Sequence, residues 1–519
     1  MSKHNLIKNT LYVMILVFLG RLMGFIREAI IASRFGTSFS SDLYAFSLGI
    51  HEMFFSSLGG AIGILFIPKL AEYIENGDKQ DTVYFVNNTL NIIVTTGLLL
   101  GLLGIFFSKN IILLSAPGFA TNYSAEDFKL AINMTRLVFL SSTLISLQYF
   151  LTAVLQSHKE FIIPGYIPIL YNMVVILYVV FGMKYFGISG LIFSLTVAYV
   201  VEVVAQVPKY RRLGYKYRFI INLKDKNIKM LGILAIPVIV GTSISQLNFF
   251  ISRMLASTLG EGMMATMNYA NKLNLLIYSV VGTTIASIIY SSFSTLSAKK
   301  DVKGQKILLE RVINTTNLIM IPAAIGLVIL RVPLIDLVFR RGAFTESDVK
   351  LTAVVLLCYA PSMVAYSIRD ILNRFFYSIK DTKTPAINSI ISVIVNIILS
   401  VYLIKIMRLA GLALSTTISS ILTTVLLMLS LAKKVKFNLK NILNSFKKTC
   451  FASIVMGLCV YLVHYILVTY LTSTKYRNVI DLSICSLVGI CVYILIISLL
   501  KIEEYMSIFN SIKQKILKN

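Results

Sequence analysis

Charged side chains stranded in long apolar runs are the residues of this chain best placed to do chemistry. Seven cations sit this way: Arg21, Arg27, Arg136, Arg253, Lys272, Arg369 and Arg374. Glu28, Glu52, Glu202 and Asp370 lie at similar depth, with Asp42 near the end of a run. Facing lipid, each would cost about 2.5–3.5 kcal/mol on insertion scales, so they must face protein or a water-filled cavity. Arg21 and Glu28 are seven residues apart and share a helix face. Arg27 is turned roughly 120° from Arg21 at 100° per residue. Two guanidiniums against one carboxylate leave positive charge to be matched. Arginine binds phosphate oxygens through two parallel hydrogen bonds, so a diphosphate is a natural complement. Asp370 and Arg374 stand in the favourable i,i+4 order for a structural ion pair. Asn388 and Asn396 lie roughly on one face of another apolar run; their amide oxygens suit either interhelical hydrogen bonds or a coupling cation.

Catalytic signals are weak. The chain has no GxxxxGK[ST] phosphate loop and no Gly-x-Ser-x-Gly elbow. His51 and Glu52 are adjacent, but neighbours on a helix point about 100° apart. The five cysteines and four histidines show no metal-ligand or disulfide spacing along the chain, so no metal and no cofactor is expected.

The elements that position these charges must be membrane helices. Of 519 residues 57% are hydrophobic and only 14% charged, with a mean hydropathy of +0.80. A soluble domain carries about 25% charge. A span needs roughly 20 mainly apolar residues. Runs of that length occur near 9–33, 41–67, 83–107, 130–155, 163–183, 186–207, 230–258, 262–292, 312–330, 351–378, 385–404, 410–432, 449–471 and 479–500. The N-terminus resembles a signal peptide, but no small-residue cleavage site follows and Arg21 interrupts the run, so it reads as the first span. With the N-terminus inside, 30 of the 49 Lys and Arg fall in inward segments, 12 in outward ones and seven within spans. That bias predicts both termini in the cytoplasm. It also assigns the net charge of +26 to topology and to anionic lipid at the cytoplasmic face, rather than to nucleic acid.

A duplication runs through the first twelve expected spans. Ser157-His158-Lys159-Glu160 with Pro164 matches Ser378-Ile379-Lys380-Asp381 with Pro385, at an offset of 221. Gly190-Leu191 and Ser194 match Gly411-Leu412 and Ser415 at the same offset. Ala32-Ser33 and Gly36 match Ala256-Ser257 and Gly260 at an offset of 224, and Tyr44-Ala45 matches Tyr269-Ala270 one residue later. Six spans per repeat give the two halves one orientation, the plan of a transporter. The expected architecture is all-α and integral to the membrane, with about fourteen helices. It divides into a six-helix lobe at 1–207, a basic cytoplasmic linker at 208–229, a second six-helix lobe at 230–434, and two extra helices with a tail at 435–519.

The motifs resemble one family, the MurJ (MviN) lipid II flippases of the MOP exporter superfamily. The carriers are Gly20-Arg21-Leu22-Met23-Gly24-Phe25-Ile26-Arg27-Glu28, then Asp42 and Ile67-Pro68. Asn268-Tyr269-Ala270-Asn271-Lys272-Leu273, Phe339-Arg340-Arg341-Gly342-Ala343-Phe344-Thr345, and Phe376-Tyr377 through Asp381-Thr382-Lys383-Thr384-Pro385 complete the order over nearly the whole chain. The resemblance implies a transporter in the cytoplasmic membrane, not an enzyme. Its cargo would be the undecaprenyl-diphosphate-linked peptidoglycan precursor, moved from inner to outer leaflet by alternating access. It implies that Arg21, Arg27 and Asp42 are cavity residues, with Glu28, Asn271 and Lys272 completing the substrate-binding set. Lys272 stands at a family arginine position and keeps the charge without the two-pronged fork. A further family arginine of the second span is missing, where His51-Glu52-Met53-Phe54-Phe55 stand. The lipid tail would follow a groove made by the last two spans. Energy would come from the membrane potential or a Na+ or H+ gradient, and the partners would include cell-wall synthesis proteins, with the chain itself a monomer. Other readings are a flippase for teichoic-acid or capsule precursors, a small-cation exporter of the superfamily, and a membrane glycosyltransferase using Glu346 and Asp348.

Overall fold

The computed structural model describes residues 3–299, 301–435, 439–470 and 476–506, and helix is the only regular secondary structure among them. The long helices are α1 (Lys3–Phe35), α2 (Phe39–Asn76), α3 (Lys79–Phe106), α4 (Ala125–Ser157), α5 (Ile162–Arg212), α6 (Lys226–Ser257), α7 (Met263–Ala298), α8 (Val302–Ile329), α9 (Glu346–Ser378), α10 (Lys383–Val435), α11 (Leu439–Tyr470) and α12 (Arg477–Leu499). Side chains start several of them. Asp78 accepts from Lys79 N, Asp225 from Asn227 N and Ile228 N, and Thr345 with Asp348 forms a reciprocal capping box. Much of the outer surface is apolar: on α3, Leu98, Leu99, Leu102, Leu103 and Phe106 are all exposed. Lipid is the solvent such a surface requires, and the chain is a multi-pass membrane protein.

Ten stretches among the described residues are long and apolar enough to cross a membrane, against about fourteen expected. Two of the ten account for part of the difference. α5 and Lys383–Lys434 of α10 run 51 and 52 residues. At 1.5 Å per residue each would extend roughly 75 Å if straight, against about 30 Å of hydrocarbon. Both instead fold back on themselves. In α5, Val175 and Val179 share a buried cluster with Leu191, Leu195 and Ala198, and the backbone turns at Gly187 (φ 53°). In α10, Asn396 donates to Ser419 Oγ at 3.2 Å and Ser400 meets Ser415 at 2.7 Å across a turn at Arg408 (φ 49°). α1 and α7, of 33 and 36 residues, are outside the ten; α1 carries Arg21, Arg27 and Glu28 within its apolar stretch.

The duplication is written in backbone conformation. Left-handed residues recur at offset 221 as Lys159 and Lys380 (φ 62° and 61°) and as Gly187 and Arg408, and near offset 224 as Gly36 and Gly260. The first pair closes the same helix-ending motif twice: Glu160 N donates to Leu155 O at 3.0 Å, and Asp381 N to Phe376 O at 2.9 Å. The acid that follows each turn is clipped by a lysine from the end of the next folded-back helix. Lys209 meets Glu160 at 2.6 Å, and Lys434 donates to Asp381.

Two compact units emerge, 1–265 and 266–519. In the first, Phe66, Phe85, Phe150 and Val154 form a core among α2, α3 and α4. The basic segment 208–229 lies within it, because α6 is built onto α2. Ser243 bonds Ser57 at 3.0 Å, Gln246 bonds Ser56 at 3.3 Å, and Arg253 pairs with Glu52 at 3.0 Å. The segment itself is pinned by three asparagines of α3. Asn87 holds Lys216 O and Arg218 N, Asn88 holds both N and O of Asn222, and Asn91 holds Arg218 O and Ile220 O, all at 2.8–3.1 Å. Along this segment the apolar side chains of Tyr217, Phe219, Ile221 and Leu223 stay exposed.

The second unit has a core of Phe293, Ile313, Phe375 and Leu427, and a further one where α11 and α12 pack on α8. Between α8, α9, α10 and α11 lies a cavity of about 720 Å³, apolar except for a few groups such as Asn317 and Thr424.

Candidate substrate site

Close packing of α1 on α5 fixes the first-unit site. A Cβ on Gly20 would lie 2.9 Å from Pro168 Cβ, and Asn172 donates to Gly20 O at 3.2 Å. Gly24 sits against the Asn172 amide. The two glycines therefore serve the close helix approach that their spacing suggests. One turn further, Arg27 enters a box formed by α1, α2 and α5. Its Nη2 donates to Glu28 Oε1 at 2.7 Å, and its guanidinium stands 5.5 Å from the Tyr171 ring and 6.0 Å from the Tyr44 ring. Tyr44 also donates to Glu28 Oε1 at 3.3 Å, and the Glu28 carboxylate is wholly buried. Of the charges on this helix, Arg27 reaches back with its long side chain to the carboxylate of its own neighbour. Arg27 still keeps a buried Nε–H with no hydrogen-bond partner among the described residues. Arg21 projects from the exposed side of α1.

Asp42 is wholly buried at the start of α2. Its carboxylate accepts from Tyr123 Oη at 2.8 Å, from Gly262 N at 2.7 Å and from Ala265 N at 2.7 Å. Two of these donors are backbone N–H groups at the beginning of α7, so Asp42 works as a helix anchor in this conformation. Tyr123, in the loop before α4, has its hydroxyl pKa pushed up by burial and by the Asp42 charge. Glu52 and His51 point apart, Glu52 to Arg253 and His51 to Ser141 Oγ at 3.3 Å, which separates the only adjacent acid–base pair of the second expected span.

In the second unit Lys272 is half-buried on α7, and the Oδ1 of neighbouring Asn271 is buried with no hydrogen-bond partner among the described residues. Asp370 accepts from Tyr278, the Arg369 guanidinium stacks 4.8 Å from the Tyr366 ring, and these two contacts engage neighbouring residues of α9 with tyrosines. Asn396 donates to Thr416 and Ser419, the interhelical bond its position suggests, while its Oδ1 and the Nδ2 of Asn388 are buried without a partner among the described residues. Tyr171 was not legible as a site residue. Tyr44 had a signal, since it heads the repeated Tyr-Ala pair, and both Tyr44 and Tyr269 are fully buried.

A family model described as Lipid II flippase MurJ matches residues 31–481. A probable lipid II flippase MurJ of Buchnera aphidicola subsp. Acyrthosiphon pisum is 30% identical over 426 residues, 80% of this chain and 82% of that protein. The lipid II flippase MurJ of Burkholderia cenocepacia is 27% identical over 437 residues, 83% and 84% of the two chains. A solved lipid II flippase MurJ in an inward closed conformation superposes with a TM-score of 0.81 at 25% identity, covering 94% of this chain and 98% of that one. An inward-facing multidrug resistance MATE family transporter of the MOP superfamily shares the fold, with a TM-score of 0.67 at 14% identity over 80% of this chain and 94% of its own. With its apolar surface, its repeat and its arginine box in the first unit, the chain belongs to the lipid II flippase MurJ family.

Proposed function

We propose that this chain carries lipid II from the cytoplasmic to the outer leaflet of the cell membrane by alternating access, with the diphosphate engaged by Arg21 and Arg27. Family membership makes it a lipid II flippase, a transporter rather than an enzyme. The observation that supports the site is the Nε–H of Arg27, without a hydrogen-bond partner among the described residues, a charged donor held in a buried box by Glu28, Tyr44 and Tyr171. A buried donor without an acceptor costs about 1–3 kcal/mol, and a phosphate oxygen would satisfy it. Glu28 then orients Arg27, Asp42 holds the start of α7, and Lys272 and Asn271 supply further contacts to the headgroup. The apolar cavity of the second unit, which α11 helps to line, suits the isoprenoid tail. Asn388 and Asn396 are assigned to a coupling cation, with the membrane potential as the other source of energy; one charge moved through 100 mV is worth about 2.3 kcal/mol. Both termini lie in the cytoplasm, and the chain acts as a monomer beside cell-wall synthesis proteins and anionic lipid. Depleting the protein and measuring lipid II in each leaflet tests the proposal: lipid II should accumulate in the inner leaflet. Unchanged partition on full depletion, in a cell with no second flippase, would overturn it.

A further inference from the structure

The last two helices carry a group of ligand-type side chains outside the substrate site described above. α11 and α12 pack as a hairpin, with Val460 and Met456 against Gly489 and Cys485. Asp481 and Cys485 are one turn apart and therefore share a face of α12. That face meets His464 of α11. His464 Nδ1 lies 2.8 Å from Asp481 Oδ2, and Cys485 Sγ lies 3.2 Å from Asp481 Oδ1. One ligand atom of each residue falls within 4.8 Å of both others. Asp481 and Cys485 are 2% and 0% exposed, and His464 is partly open at the edge.

An ionisable carboxylate within an apolar helix pair is costly and calls for a partner. Without an ion, His464 and the weakly donating Cys485 thiol share that role through hydrogen bonds to the two carboxylate oxygens. Imidazole nitrogen, carboxylate oxygen and thiolate sulfur converging from two helices are the mixed donor set of a borderline divalent ion. Magnesium and calcium prefer oxygen alone.

We propose that His464, Asp481 and Cys485 bind one divalent transition-metal ion of the zinc class, which clasps α11 to α12. Ligand bonds of about 2.0–2.3 Å need donor atoms roughly 3–4 Å apart, so the triad accepts the ion after small side-chain rotations. On binding, the thiol proton leaves to solvent, and the imidazole keeps its proton on Nε2 while Nδ1 turns to the metal. Water, entering at the exposed edge of His464, completes a four-coordinate shell.

The test uses the full-length protein in detergent with Cys358, Cys450, Cys459 and Cys491 replaced by serine, so that Cys485 is the one thiol. Cobalt(II) should bind at one equivalent with a thiolate-to-cobalt absorption band, be displaced by zinc, and resist excess magnesium. Cys485→Ser should abolish the band. His464→Ala should weaken cobalt binding by at least the 10- to 100-fold that loss of a mere supporting partner costs. Zinc should also raise the unfolding temperature of the parent, and not that of either variant, a readout that stands even if a variant starts out less stable. No thiolate band in the parent, or a zinc-dependent stabilisation that survives both substitutions, would overturn the proposal and leave the triad a hydrogen-bonded clamp.

Discussion

Arg27 and Glu28 are adjacent in sequence yet meet in space, because a long guanidinium arm can double back where a short side chain cannot. This makes a single substitution ambiguous. Arg27→Ala removes the proposed substrate contact and also strands a buried carboxylate, a loss of about 3–5 kcal/mol in stability for such pairs. The double variant Arg27→Ala/Glu28→Gln removes both charges. It should reach near-normal protein levels and still fail to support growth when this is the sole flippase, since a lost charge-assisted bond weakens binding by about 1.5–3 kcal/mol, roughly ten- to a hundredfold. Full complementation by the double variant at normal level would remove Arg27 from the binding site. Arg27→Lys should recover activity in part, because charge returns without the fork. The charges themselves were legible, since arginine in an apolar run has few bland explanations. Tyr171 and the His464 group were not, because each is defined by a second helix brought alongside, which no spacing along one helix reveals.

At the scale of the element, α10 turns at a residue that chain chemistry does not favour. Arg408 sits at φ 49°, ψ −127°, a region that glycine occupies freely and other residues enter at a cost of about 1–3 kcal/mol; its repeat counterpart is Gly187. Arg408→Gly should therefore raise stability by about 1 kcal/mol, read as a higher unfolding temperature in detergent; a drop would mean that contacts of the Arg408 side chain outweigh the strain. The joint was legible from span length and from the charges Lys405 and Arg408, while the conformation was not, for want of glycine at the turn. A second element-scale test concerns the clip on Asp381. Burial would push this carboxyl up, but hydrogen bonds from Lys434 and Thr384 hold it down at about 2. A depressed folded pKa means that the stabilisation is present above the unfolded value and fades as pH falls toward the folded one. Asp381→Asn should thus cost about 1 kcal/mol or less at neutral pH, discounted because Lys434 is half exposed. The difference should shrink as pH drops from about 4 to about 2. A gap between the two unfolding curves that widens with acid would refute the assignment.

For the molecule as a whole, charge bias and repeat parity lead to one orientation. A reporter active only outside the cell, fused after Asn519, should stay silent, and a strong external signal would reverse the topology and the parity of the span count. The fold class and the duplication were legible because lipid imposes a simple rule, long apolar helices, and because two of the copied turns kept their residues, Lys159 with Lys380 and Gly36 with Gly260. The grouping of helices into units was less so: α6 follows the basic segment yet packs on α2 through serine, glutamine and arginine contacts that hydropathy does not register. The pinned segment has one more consequence, for proteolysis. Lys216 and Arg218 are exposed and would be ordinary trypsin targets in a loose connector. A protease must lift the chain out into its own cleft, and here the carbonyls of those two residues and the N–H of Arg218 are held by Asn87 and Asn91. Solubilised protein should resist trypsin at 216 and 218, and Asn87→Ala/Asn91→Ala should expose both bonds, so that the connector behaves as a strap whose buckle is carried by α3.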